Sequence, residues 1–241
     1  MQPASEVLAQ SLKNIKGDLN SLDEFTCPDC QGIFLIRARH ASGVCGKCAE
    51  AISKRLDTTT KLREEVSKML GGDKIFEKTS WSNIQTTPLN QKAVEACQVF
   101  DSETDNLFLW GECGRGKTLL AKAVARDKAL KGLKVVIETT STLSRKTRGL
   151  EGKEEQKMVD RFCEADIFIL DDLGRGNVTP TMLSILCEVL DRRFDNNKQG
   201  FIATSNLDFT NLAVAMGDDR LTSRLLVCRC IQVKGDDMRL K

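Results

Sequence analysis

The stretch that most constrains this chain is Gly111-Glu112-Cys113-Gly114-Arg115-Gly116-Lys117-Thr118, which follows the apolar run 107–110 and opens a helix-forming run beginning at Leu119. A strand that stops, turns through glycines and enters a helix leaves several backbone N–H groups pointing into one concavity, where the helix dipole also favours negative charge. Such a concavity is a cradle for a triphosphate. Gly111, Gly114 and Gly116 permit the tight backbone path, Lys117 can reach the β- and γ-phosphates, and the Thr118 hydroxyl can meet a magnesium ion. The run from Gly111 to Leu119 is therefore the expected nucleotide contact, with a nucleoside triphosphate and Mg2+ as ligands. Because the same loop serves kinases, ATPases and molecular switches, the remaining chain has to decide the activity.

At 241 residues the chain has room for one α/β domain with a full core and a smaller appendage. Lys and Arg total 36 against 34 Asp and Glu, so with a net charge of +2 any nucleic-acid contact has to be a local patch. The amino terminus lacks a basic region followed by an apolar core, and no apolar run approaches the roughly 18 residues that span a bilayer. A soluble, cytoplasmic protein is expected. Its ten cysteines would stay reduced there, which turns attention from disulfides to metal.

Cys27-Pro28-Asp29-Cys30 and Cys45-Gly46-Lys47-Cys48 form two C-x-x-C knuckles, with the apolar run 33–37 between them as a ribbon strand. Four thiolates at this spacing can surround Zn2+ tetrahedrally and leave no open position, so the expected zinc is structural. His40, the only histidine, could replace one cysteine but is more simply a surface residue. From Lys47 the chain reads as a helix that brings Ile52, Leu56, Leu62, Val66 and Leu70 round to one face, and Gly71-Gly72 ends it. The expected division is a zinc module over residues 1–72 and a larger domain over 73–241.

In the larger domain a helix is expected at 89–100. Apolar runs at 107–110, 135–137, 167–170, 201–203 and 230–233 then alternate with helical segments at 118–130, 154–163, 181–194 and 221–227. Short buried strands separated by helices imply a five-stranded parallel sheet covered on both faces. The third run ends in Asp171-Asp172, at the strand edge where open α/β sheets bind ligands. Asp171 is the expected holder of the magnesium shell, and Asp172 the expected orienter of the attacking water. The fourth run ends in Ala203-Thr204-Ser205-Asn206, which brings the Asn206 amide to the same edge. Arg145, Lys146, Arg148 and Lys153, after the second strand, can track phosphates of a single strand or serve as a solvated basic loop. Arg220 and Arg224 stand beside acids on the last helix, where composition alone reads a surface pair.

The phosphate loop, the Asp-Asp and Thr-Ser-Asn strand ends, the Asp219-Arg220…Ser223-Arg224-Leu225 helix and the terminal Gly235-Asp236-Asp237-Met238-Arg239 together resemble the AAA+ ATPases. Within that class they resemble the bacterial and phage replicative helicase loaders of the DnaC/DnaI type, over about residues 73–241. The resemblance implies Lys117 and Thr118 as the first nucleotide motif, Asp171 and Asp172 as the second, and Asn206 as the first sensor. It further implies Arg220 as an arginine finger reaching a neighbour's γ-phosphate and Arg239 as the second sensor. An ATP-dependent homo-oligomer, a replicative helicase gripped by the zinc module, and single-stranded DNA are the implied partners. IstB-like transposition helper ATPases share the core and are the alternative; a small-molecule kinase is disfavoured, since it has no use for a trans-acting Arg220. Asp172 stands where most AAA+ proteins carry Glu, so a slow, switch-like ATPase is expected. The short stretch after Lys234 implies a reduced or absent helical lid.

Overall fold

The computed structural model describes residues 22–26, 31, 33–37, 46–176, 178–217 and 219–237. The chain forms two compact units, Met1–Arg63 and Glu64–Lys241. In the first, β1 (Leu22–Thr26) pairs antiparallel with β2 (Ile33–Arg37), Leu22 opposite Arg37 and Thr26 opposite Ile33. Strand β2 coincides with the expected ribbon strand. Cys27 and Cys30 fall between these strands in sequence, but with Cys45 they lie outside the described residues; Cys48 is half-buried near the start of α1 (Gly46–Leu70). Among the described residues no group of three or more His, Cys, Asp or Glu side chains gathers as a metal centre.

The expected apolar face of α1 is buried only at its carboxyl end. Val66 and Leu70 are in the core, whereas Ile52 and Leu56 are exposed. Gly71 and Gly72 stop the helix at φ 106° and 107°. The Gly72 N–H donates to the Ser67 carbonyl at 2.8 Å and the Gly71 N–H to the Lys68 carbonyl at 3.2 Å, so two otherwise orphaned carbonyls are satisfied by a Schellman closure.

Within Glu64–Lys241, α2 (Asp73–Lys78), a short 3-10 turn (Trp81–Asn83) and α3 (Gln91–Gln98) precede β3 (Asn106–Trp110). Then follow α4 (Lys117–Leu130), β4 (Val135–Thr139), α5 (Thr140–Lys146), α6 (Lys153–Glu164) and β5 (Ile167–Leu173). The chain continues through α7 (Pro180–Asp195), β6 (Phe201–Ser205), α8 (Phe209–Met216), α9 (Arg220–Leu225) and β7 (Arg229–Gln232). The strands form one parallel sheet in the order β4-β5-β6-β3-β7. Residues 167–170 and 201–203 are fully buried, as expected of strands covered on both faces, and Phe162 stacks on Phe168 at 4.7 Å in one of the layers.

Three differences from the sequence expectations affect the site. Strand β5 runs three residues past the apolar run 167–170, to Leu173, so the two acids lie in its carboxyl end as expected but with one more strand residue after them. Helix α5 occupies the start of the basic segment, capped by Thr139, whose hydroxyl accepts from the Thr142 N–H. Helix α8 follows β6, capped in the same way by Asp208. The basic side chain of Arg193 is buried and donates to carbonyls of Phe162, Cys163, Ala165, Asp166 and Gln199, tying the end of α6 to the turn before β6. Burial lowers its pKa to about 10.

Candidate nucleotide-binding site

The phosphate loop folds as its glycines require. Gly111 at φ 146° lies so close to the chain beyond β7 that a Cβ there would sit 2.5 Å from the Val233 carbonyl oxygen. A Cβ on Gly114 would collide with the Asp237 carboxylate, and Gly116 takes the left-handed conformation just before α4. Lys117 is 5% exposed, and its ammonium donates to the Gly111 and Glu112 carbonyls, each at 2.7 Å, which holds the loop closed on itself. Arg115 pairs with Glu112 along the rim, and Cys113 is exposed there.

The sheet order puts β6 between the loop strand β3 and the acidic strand β5. Asn206, just after β6, therefore stands between the loop and the acids, and Asn206, Asp172, Gly116, Lys117 and Thr118 all line one cavity of about 260 Å³. Asp171 is buried; its Oδ1 accepts from the Thr118 hydroxyl at 2.8 Å and from the Thr204 hydroxyl at 2.6 Å. Burial pushes the Asp171 carboxyl above its ordinary range; the two hydroxyl donors oppose that shift, Asp172 adds to it and Lys122 opposes it. The Asp172 side chain is 36% exposed, and its Oδ2 lies 3.9 Å from Arg175. Thr118 and Asp171 supply hard oxygen ligands already in contact, the donor set by which proteins hold magnesium beside a substrate's phosphates. The residues present thus fit Mg2+.

Sequence reasoning missed several residues of this site. Ile75, from α2, lines the cavity, as does Lys122, one helical turn beyond Thr118 on the same face of α4. The Lys122 ammonium donates to the Leu70 carbonyl at 2.9 Å, so one cation serves both the cavity wall and the carboxyl end of α1. Ser205 accepts nothing from the loop through its side chain, but its carbonyl receives the Gly111 N–H at 3.2 Å while its hydroxyl donates to the Leu173 carbonyl at 2.7 Å. Polar residues closing an otherwise apolar strand, Thr204-Ser205, were the available signal.

Other expected site residues stand apart. Arg220 opens α9 and is exposed; neither it nor Arg224 lines the cavity. Arg224 grips both carboxylate oxygens of Asp191 on α7, at 2.5 and 2.6 Å, and donates to the Arg220 carbonyl at 2.7 Å. Arg239 lies outside the described residues. In the basic segment, Arg145, Arg148 and Lys153 are exposed, whereas the Lys146 ammonium lies 2.6 Å from the buried Glu138 carboxylate, which Arg161 also approaches at 3.4 Å.

A parallel sheet with a glycine-lined Lys-Thr turn on one strand and a buried aspartate hydrogen-bonded to that threonine on another defines a P-loop nucleotide-binding domain. A family model described as IstB-like ATP binding protein matches residues 51–241, and the chain belongs to that family. The Replicative helicase loader DnaC of Escherichia coli (strain K12) is 24% identical over 121 residues, 48% of this chain and 49% of that protein, so the chain spans about half the length of this relative. Among solved structures, AMPPCP-bound DnaA from Aquifex aeolicus matches with a TM-score of 0.59 at 20% identity, over 70% of this chain and 54% of that one. The DnaC helicase loader crystal structure matches with a TM-score of 0.55 at 22% identity, over 67% of this chain and 100% of that one. These likenesses show a shared α/β fold, and the family supports ATP as the ligand. Among the described residues no helix is long and apolar enough to cross a membrane.

Proposed function

We propose that this chain is a cytoplasmic, ATP-dependent loader of a replicative DNA helicase onto single-stranded DNA, with ATP binding and hydrolysis switching oligomer assembly and release. The observation that carries the ATPase half is the hydrogen bond from Thr118 to the buried Asp171, which joins the phosphate loop to the acidic strand across the cavity that Asn206 enters. Similarity to the DnaC loader supports the choice of partner.

In this reading Lys117 exchanges its two carbonyl partners for β- and γ-phosphate oxygens. Thr118 and Asp171 would hold a magnesium ion, which would supply positive charge against the negative charge developing on the phosphates. Asp172 accepts the proton of the attacking water as the water oxygen bonds to the γ-phosphorus and the bond to the β-γ bridging oxygen breaks; Asn206 steadies that water from the other side. Arg220 reaches the pocket of the next subunit in a ring or spiral, and Arg239 acts as the second sensor. The shorter side chain of Asp172 makes hydrolysis slow. Arg145, Arg148 and Lys153 track DNA phosphates, and Cys27, Cys30, Cys45 and Cys48 hold a structural zinc in a docking module that ends near residue 72.

A second reading, a transposition helper that recruits a transposase on DNA, is favoured by the family match. Native mass spectrometry of the protein mixed with its host's replicative helicase, with ATP and with ADP, separates the two. The loader reading expects a nucleotide-dependent complex that is lost when Cys27 and Cys30 are replaced by serine. ATP-dependent oligomers without any helicase complex would overturn it in favour of the second reading.

A further inference from the structure

Thr204 is fully buried on β6, between the strand of the phosphate loop and the strand of the acids. The β5–β6 ladder is regular as far as Leu170 opposite Ala203 and resumes with Leu173 opposite Ser205. Asp171 and Asp172 together therefore stand opposite the single residue Thr204. Such a bulge breaks the alternation of a strand and re-aims its side chains. Its cost is visible in Asp172, a non-glycine residue at φ 58°, a conformation that persists only where the surroundings impose it.

The Thr204 hydroxyl meets both acids at the bulge. The hydroxyl has one proton to give, and gives it to Asp171 Oδ1 at 2.6 Å. Its lone pair accepts the Asp172 N–H at 3.0 Å, replacing the ladder partner that the bulge removes. The carboxylate of the first acid and the backbone of the second are thus fixed by one oxygen atom. Thr118 reaches the same Oδ1 from α4 at 2.8 Å, so α4, β5 and β6 meet at a single carboxylate oxygen. A valine of the same shape would fill the site equally well but leave both the carboxylate and the Asp172 N–H without this partner.

We propose that Thr204 is a positioning residue that sets the spacing between the magnesium-holding carboxylate of Asp171 and the water-orienting carboxylate of Asp172. The assignment rests on the nucleotide-site reading given above. Partners that orient a metal ligand typically contribute about 10–100-fold to metal affinity or activity when removed, and Thr204 holds that place for Asp171.

The test compares the full-length parent, Thr204→Val and Thr204→Ser. Mn2+ affinity in the presence of a non-hydrolysable ATP analogue is read by electron paramagnetic resonance, analogue binding in EDTA by fluorescence, and turnover separately as kcat and KM. Thr204→Val should lose about 10–100-fold in Mn2+ affinity, lose kcat at least as strongly, and keep metal-free analogue binding and KM close to parental values. Thr204→Ser, which keeps the hydroxyl, should recover most of both. In an Asp171→Asn background the valine should add little further loss of Mn2+ affinity, because the two residues act through one bond. If the valine does not pack, Thr204→Ala removes the same hydroxyl and is read in the same way. Parental Mn2+ affinity and kcat in the folded hydroxyl-less variant, with only a lowered melting temperature, would overturn the proposal and leave Thr204 a satisfied core residue. A parent that does not bind the analogue, with or without metal, would overturn the nucleotide-site reading itself, and is recognised before any variant is made.

Discussion

Lys117 and Asp171 are each 5% exposed, and each side chain is held by hydrogen bonds within its own unit, whereas Arg220 stands exposed on the first turn of α9. The loop side is preorganised: the lysine is folded back on the loop, the threonine touches the aspartate, and the bulge holds two acids against one threonine. The α9 side is also ordered, since Arg224 locks the helix to Asp191 on α7, but the exposed Arg220 does not line the cavity of its own chain. A preorganised site reacts without waiting for its dipoles to arrange themselves. A group displayed outward on a rigid helix contributes only when a second molecule brings its own cavity to it. The contrast suits an ATPase whose binding half is always ready and whose hydrolytic half depends on assembly.

The sharpest way to break this contrast is to remove the outward group. Arg220→Ala should leave ATP affinity near parental and lower turnover by about 10³–10⁵-fold, the usual contribution of an arginine finger. Parallel measurement of Arg224→Ala checks the assignment, because a larger loss there with Arg220→Ala unaffected would move the role to the arginine now bound to Asp191.

A smaller effect sharpens the loop side. Asp172→Glu extends the second acid by one methylene toward the cavity, and since a misplacement of about 1 Å can cost about 10²-fold, turnover should rise by up to that factor while ATP affinity stays level. Steady-state phosphate release measures it, and an unchanged rate would mean that reach does not limit hydrolysis.

The smallest effects concern the basic segment. Arg145→Ala should weaken single-stranded DNA binding uniformly across sequences and reduce the slope of log affinity against log salt by about 1. Lys146→Ala should act differently. Its ammonium neutralises the buried Glu138, with Arg161 as the remaining partner, so its loss should cost about 1 kcal/mol of stability with less effect on DNA. Salt titrations and thermal melts separate the two.

The same contrast marks what the sequence made legible. Strands β3, β5 and β6 were readable because burial on both faces leaves continuous apolar runs, the edge strands β4 and β7 by runs that are only partly buried, and the phosphate loop because its glycines, lysine and threonine sit at fixed spacing. Helix α5 was not, because Thr-Ser-Thr-Leu-Ser-Arg-Lys buries only one large apolar side chain, Leu143, and shows no period. Thr204 was visible as a polar residue closing an apolar strand, but its partners lie more than thirty residues away, and only the sheet order brings β6 beside β5. Lys146 looked like its basic neighbours, and its partner Glu138 comes from the strand before it. The role of Arg220 was supplied by resemblance, since no local pattern separates an arginine meant for a neighbour from a solvated one.

The most direct test of the account mixes two defective proteins. Lys117→Ala lacks the loop cation but keeps Arg220, and Arg220→Ala has the opposite defect. Each alone should hydrolyse ATP at a small fraction of the parental rate. If Arg220 completes the neighbour's pocket, an equimolar mixture should recover turnover well above the sum of the two, because Arg220→Ala subunits bind ATP against intact arginines from Lys117→Ala subunits. A mixture that shows only the sum of its parts would contradict the claim that the site is shared between subunits.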